Sequence, residues 1–355
     1  MRAGMPELKA NPSLAAATVQ FPPHHSSQRD ISMALTGFGF AGAQFERFIA
    51  NSGVEFRHHA LPSTCYGELS GFTEANEAFV EVALDLGERA LLSALDAAEV
   101  KPSEVDLVLS TTVTGLAVPT LEARLAARIG LRPDVKRLPL FGLGCVAGAA
   151  GVARMHDYLR AYPNHVAALL AVELCSLTIQ RDDLSTANLV ASSLFGDAAG
   201  AVIGKGASWA PAGPSVLASR SRLYPDTEDV MGWRIGTEGF KIVLSVDVTT
   251  VAEKYLGEDV RNFLADYGLT AQDISTWVCH PGGPKVIDAI ENVLDLPTEA
   301  LAYTRESLRN NGNLSSVSVL DVLRANMAEP PPPGTFGLMV AMGPGFCSEL
   351  VLLGW

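Results

Sequence analysis

Three side chains in this sequence are of types that carry out acyl chemistry: Cys145, His280 and Asn313. Cys145 lies in LPLFGLGCVAGAAGVAR, residues 138–154, where an apolar strand pattern runs into a helix of small residues. Gly142 and Gly144 permit the tight turn between the two. That turn leaves Cys145 in the first turn of the helix, where unpaired N–H groups and the helix dipole favour an anion. Such a setting lowers a thiol's pKa and makes it a nucleophile at neutral pH. A small apolar cysteine filling a strand-to-helix contact has the same local pattern. His280, in HPGGPKVIDAI, falls at a strand end before a Pro-Gly-Gly turn and a helix. Asn313, in RNNGNLSSVSVL, follows a glycine near a helix N-cap. Taken singly, the one reads as a partly buried histidine and the other as a cap.

The elements that must position these residues alternate in type. Strand-like runs at 105–113, 135–142, 165–174 and 200–204 are separated by helical patterns near 76–98, 119–129, 145–160 and 185–195. This predicts a layered α/β fold with a mainly parallel sheet. The theme returns with a helix over 247–267, a strand over 275–280, helices near 283–294 and 313–327, and two closing strands. In each half a helix begins directly after a reactive-looking residue, Cys145 or Asn313, which hints at an internal duplication. The expected organisation is an irregular N-terminal arm over 1–28, a first half over 29–210 carrying the cysteine, and a second half over 211–355 carrying the histidine and asparagine.

Composition narrows the class. The 355 residues exceed the common single-domain range, and 48% hydrophobic against 18% charged residues fits a large buried core. A net charge of -13 with no lysine- or arginine-rich block argues against a nucleic-acid partner. The five cysteines (Cys65, Cys145, Cys175, Cys279, Cys347) are odd in number, far apart and without a CxxC pair. Neither a disulfide framework nor a metal site is expected, and a reducing cytoplasm is the simplest setting. The N-terminus lacks the pattern of a signal peptide, and no apolar run reaches the ~18 residues of a membrane span.

GLGCVAG, SLFGDAAGAVIG, HPGGP, GNLSS and MGPGF occur in the order and approximate spacing of one family. From about residue 30 to residue 355 the chain resembles the type III polyketide synthases, the chalcone synthase-like members of the thiolase superfamily. The resemblance implies a thiolase-like fold of two duplicated α-β-α-β-α layered halves. It implies Cys145, His280 and Asn313 as a catalytic triad, acting on acyl-CoA and malonyl-CoA without a cofactor or metal. Cys145 would carry the acyl chain, with His280 paired to its thiolate as an imidazolium. His280 and Asn313 would donate hydrogen bonds to the enolate left by decarboxylation of malonyl-CoA. Phe195 in SLFGD falls at a gatekeeper position, where an apolar ring favours loss of the charged carboxylate as CO2. A second gatekeeper falls at Ile242, or at Phe240 in a register two residues earlier.

By the same resemblance Thr114, Val118, Cys175, Thr178 and Ala191 belong to the substrate pocket, and Val118 reaches into the cavity of a homodimer partner. Arg47, Arg57, Gly282, Gly283 and Lys285 are the implied coenzyme A contacts, with Asn51 standing where a further cation is expected. Cys175 and Ala191 are small and leave room for a long acyl starter. Tetrahydroxynaphthalene-forming relatives tend to carry a cysteine near 113–114, where this chain has Val113 and Thr114. The bacterial alkylpyrone and alkylresorcinol branch, with a medium or long fatty acyl-CoA starter, is therefore the implied product class. A ketoacyl-carrier-protein synthase III shares the fold and residue types, but HPGGP and GPGF fit it poorly. A non-catalytic acyl-CoA-binding protein would not need the intact Cys, His and Asn set.

Overall fold

A computed structural model describes residues 11–245 and 247–355. The chain opens with strand β1 (Ser13–Gln20), strand β2 (His24–Ser27), helix α1 (Gln28–Thr36), helix α2 (Ala43–Ala50) and strand β3 (Phe56–His59). Helix α3 (Phe72–Ala97) leads to strand β4 (Leu107–Thr111), helix α4 (Leu121–Ile129) and strand β5 (Lys136–Leu140). Helix α5 (Ala147–Ala161), strand β6 (Val166–Leu174), helix α6 (Thr186–Leu194) and strand β7 (Asp197–Lys205) complete the first half. The second half runs through strands β8 (Ser215–Leu223), β9 (Met231–Gly236) and β10 (Gly239–Leu244), then helix α7 (Val248–Ala265) and strand β11 (Ile274–Cys279). Helices α8 (Pro284–Leu294), α9 (Ala302–Asn311) and α10 (Ser318–Ala328) precede strands β12 (Phe336–Gly343) and β13 (Cys347–Gly354).

The main sheet has the order β11-β12-β13-β8-β1-β7-β6-β4-β5. Its centre is thin: β1 and β8 meet only at Ser13 and Ser215. Outward from that seam the same pairings recur on both sides. β7 is antiparallel to β1 and β6 to β7, with β4 parallel to β6; β13, β12 and β11 repeat the sequence from β8. The duplication hinted at by the sequence is thus written in the topology, with β5 unmatched in the second half. The expectation of a mainly parallel sheet is not met. Residues 175–196, which join β6 to β7, stay at the strand ends over a cavity instead of crossing a sheet face, so β7 returns antiparallel.

Three apolar clusters define the layers. One packs α3 and α4 on the outer face of β4, β6 and β7, and a second packs α7, α8 and α9 on the outer face of β11–β13. The third joins α5 and α10 to the inner faces of both halves of the sheet. The small residues of α5 follow from that squeeze: a Cβ on Gly148 would lie 2.2 Å from the Ser316 carbonyl oxygen, and one on Gly151 2.6 Å from Leu169. β6 and β7 are buried along their whole length because helices cover both faces.

The irregular arm expected over 1–28 is corrected for its described part. Residues 13–20 form β1 at the centre of the main sheet, and β2 pairs antiparallel with β3. SLAAATVQ has only two β-branched residues, Thr18 and Val19, to announce a strand, but its alanines allow the close approach of α3. Residues 1–10 lie outside the described residues.

Candidate active site

The two central helices bring the candidate residues together at their N-terminal ends. Cys145 lies in a 3-10 turn, Gly144–Val146, just ahead of α5, and Asn313 lies just before a matching turn, Ser315–Val317, ahead of α10. Gly144 has φ +55°, and a Cβ there would meet the Pro344 ring at 2.7 Å, so the MGPGF loop is pressed against the cysteine turn. His280 follows β11, and its backbone N–H donates to the Val340 carbonyl at 2.8 Å. β12 therefore carries both neighbours: Val340 holds the histidine, and Gly343 and Pro344 abut the turn around Cys145.

Asn313 connects the three segments. Its Nδ2 donates to the Gly282 carbonyl in the turn after His280 (3.3 Å), and its Oδ1 accepts from the Ser315 N–H (2.8 Å). The Ser315 hydroxyl in turn accepts from the Cys145 thiol at 3.7 Å. Asn313 also runs beside Phe195 as an isolated bridge, its N–H donating to the Leu194 carbonyl and its carbonyl accepting from Gly196. Gly196 is needed there, because a Cβ would lie 2.3 Å from the Asn311 carbonyl oxygen.

Sequence reasoning missed two residues of this network. Glu173, fully buried at the end of β6, accepts from Ser315 (3.4 Å), Ser316 (2.5 Å), Thr114 (3.1 Å) and the Val113 N–H (3.2 Å). Burial raises its carboxyl to about 7 despite these donors. The signal was available: Glu173 is the one carboxylate inside an otherwise apolar run. Ser315 carried no such signal, and its φ of +51°, a left-handed backbone rare for a residue with a Cβ, is visible only in the structure.

Electrostatics differ from expectation. Cys145 is 5% exposed, and burial pushes its thiol up to about 12, against the lowering effect of Ser315 and with a further raise from Glu173. Burial alone holds His280 down to about 3, and its Nδ1 has no hydrogen-bond partner. A neutral thiol and a neutral imidazole are thus favoured over the expected thiolate–imidazolium pair, because no fixed charge offsets the desolvation of either.

A cavity of about 560 Å³ opens beside Cys145 and Ser315. Phe195, Thr114, Cys175, Thr178, Ala191 and Ile242 all line it. Phe240 instead packs edge-on to Phe72 and against Trp233, which leaves Ile242 as the wall residue. His280 and Asn313 are buried and are not among the residues that line this cavity; Asn313 reaches its lining through Ser315. Val118 is not in the cavity; it is 93% exposed on the surface.

The expected coenzyme A contacts separate. Arg47 on α2 and Lys285 on α8 are exposed, and Gly282 and Gly283 form the turn before α8, away from the cavity wall. Arg57 is corrected outright: it is 1% exposed and donates to Gln28 Oε1 (3.1 Å) and to the Ser192 (2.8 Å) and Phe195 (2.7 Å) carbonyls. It fixes the backbone of Phe195 from inside the protein. An arginine beside a surface helix cannot be told from an interior one by its local sequence.

The family models for the N-terminal and C-terminal domains of chalcone and stilbene synthases match residues 54–207 and 215–354. The 1,3,6,8-tetrahydroxynaphthalene synthase of Streptomyces peucetius subsp. caesius is 50% identical over 351 residues, covering 97% of this chain and 93% of that protein. A putative chalcone synthase of Bacillus subtilis (strain 168) is 35% identical, covering 99% and 96%. The crystal structure of 1,3,6,8-tetrahydroxynaphthalene synthase from Streptomyces coelicolor A3(2), a bacterial type III polyketide synthase, superposes with a TM-score of 0.92 at 29% identity, covering 97% and 99%. With both domains matched and the layered fold shared along its length, the chain belongs to the chalcone and stilbene synthase family and is a type III polyketide synthase, an enzyme of Claisen condensation.

Proposed function

We propose that this enzyme builds 1,3,6,8-tetrahydroxynaphthalene from malonyl-CoA alone. The observation that carries the reading is the 50% identity, along nearly all of both chains, to a synthase of that name. It moves the product away from the alkylpyrones and alkylresorcinols expected from Val113 and Thr114. The ten ring carbons correspond to five two-carbon units, so five malonyl groups lose five CO2, five CoA thiols and one water.

In this reading Cys145 is the acyl carrier. Its sulfur attacks the thioester carbon, neutral His280 takes the thiol proton, and the departing CoA thiolate receives it. Decarboxylation of the next malonyl-CoA leaves an enolate held by His280 and the Asn313 amide, with the Phe195 ring disfavouring the carboxylate. The enolate carbon attacks the acyl-Cys145 carbonyl and expels the Cys145 thiolate, leaving a CoA thioester two carbons longer. The thiolate then attacks that thioester to reload the chain, and the released CoA thiolate takes up a proton. Coenzyme A thioesters are the substrates, the thiol and amide supply the chemistry without a cofactor, and Arg47, Lys285 and the Gly282–Gly283 turn border the CoA arm. The active species is a homodimer that covers Val118.

A fatty acyl starter is the second reading. It is favoured by an apolar flank of the cavity formed by Ile31, Leu35, Phe38, Leu61 and Leu69. Mass spectrometry of products from malonyl-CoA alone, and with acyl-CoAs of rising chain length, separates the two. The ten-carbon naphthol from malonyl-CoA alone is expected; products only when a fatty acyl-CoA is present would overturn it.

A further inference from the structure

The ribbon of β2 and β3 turns one face to the Cys145 cavity. His24 pairs with His59 and Ser26 with Arg57, and these four residues all line the cavity. Arg57 is 1% exposed, and while its Nε and Nη1 are committed, its buried Nη2 has no hydrogen-bond partner. The carboxylate that acts on it most, Asp197, is already taken up by the N–H groups of Ala60 (2.6 Å) and Ser176 (2.8 Å) and by the Ser176 hydroxyl. His59 is held down to about 3, first by burial and then by the neighbouring Arg57, His58, His24 and His25. Of the acids on the same cavity, Asp30, Asp182 and Glu238 are exposed, Asp30 accepting from Ser27, and Asp183 pairs with Lys241 at 3.1 Å.

A malonyl-primed chain needs such a wall. A naphthalene keeps every pentaketide carbon in its rings, so the carbon at the starter end must become a nucleophile. If the starter retains its carboxylate, breaking that C–C bond releases CO2 and leaves the electron pair on the terminal carbon. Attack of that carbon on the thioester carbonyl closes a ring and expels the thiolate, which takes up a proton. The starter carboxylate must therefore outlast four extensions beside a site that strips CO2 from each extender.

Resting on the malonyl-primed reading above, we propose that His24, His59 and the free Nη2 of Arg57 form a subsite that binds the starter's carboxylate and delays its loss. Hydrogen bonds to the carboxylate stabilise the ground state more than the decarboxylation transition state, in which the charge moves away into the enolate. Asn313 and Phe195 act on the extender in the opposite sense.

The test uses His24→Leu/His59→Leu, since Arg57 also holds Phe195. Wild type and variant are each given malonyl-CoA alone, and malonyl-CoA with hexanoyl-CoA, and their products are resolved by mass spectrometry. In the variant the ratio of malonyl-primed naphthol to hexanoyl-primed pyrone is expected to fall about tenfold or more. Methyl-ended pyrones, from starters that lost CO2 early, should replace the naphthol, and His24→Gln/His59→Gln should restore part of it. An unchanged ratio, or a parallel fall of both products without methyl-ended chains, overturns the subsite. Wild type silent on malonyl-CoA alone overturns the malonyl-primed reading, and the subsite with it.

Discussion

Asn313 holds its amide in one orientation because Ser315 N–H needs Oδ1, so Nδ2 is committed to the Gly282 side. Asn313→Ala removes a donor that the proposed mechanism needs only after decarboxylation begins. Malonyl-CoA decarboxylation should fall by about 10²–10³ while the acyl mass shift on Cys145 persists; equal loss of both would remove Asn313 from that role. Buried imidazoles set a second expectation. His59, His156 and His280 are held to about 3, 4 and 3, chiefly by burial, so between these values and about 6.5 the unfolded chain binds protons the folded one does not. Stability therefore falls as pH drops below about 6.5. Glu173 and Asp197, raised to about 7 and 6 by burial, act with the opposite sign from about pH 4 to 7, but they are two against three. Both ring nitrogens of His156 lack a hydrogen-bond partner. His156→Leu should therefore narrow the gap between Tm at pH 7.5 and at pH 4.5, and an unaltered gap would refute the assignment.

Helix α5 shows what an element contributes to the site. Gly148 sits where α5 crosses the segment carrying Ser315 and Ser316, and an added methyl meets backbone and the Val319 side chain. Gly148→Ala should cost about 1–3 kcal/mol, read as a lower urea midpoint, and turnover should drop with it because Ser315 is displaced from Cys145. An unchanged midpoint would show that the contact can relax. The long alternating elements were legible in the sequence: α3, α4, α5, α7 and α8, and β4, β6 and β11, fall within a few residues of their predicted places because periodicity and burial agree there. β1, the β2–β3 ribbon and the β9–β10 ribbon were not. The first is alanine-rich, and the ribbons are short and partly exposed, so no apolar period announces them. The Cys, His and Asn set was legible through its ordered motifs, whereas Glu173, Ser315 and the interior place of Arg57 depend on contacts across more than 100 residues of chain.

At the scale of the whole molecule, an apolar surface remains uncovered around the edge strand β5. Val118 is 93% exposed, Phe141 50%, and Leu116 and Leu138 40% each. Phe141 leads directly into the turn that holds Cys145, so whatever covers this surface also steadies the nucleophile. Sedimentation should show a dimer for the wild type and a monomer with reduced turnover for Val118→Asp/Phe141→Asp; a dimer in the double variant would place the interface elsewhere.

The central position of β1 also has a consequence for biosynthesis. Residues 13–20 pair with residues 199–205, so β1 has no mate on that side until some 180 further residues have left the ribosome. At the usual pace of translation that is a wait of roughly 10–40 s. During it SLAAATVQ is an unpaired sticky edge, and a cell making this protein quickly must shield it or lose part of the yield to aggregates.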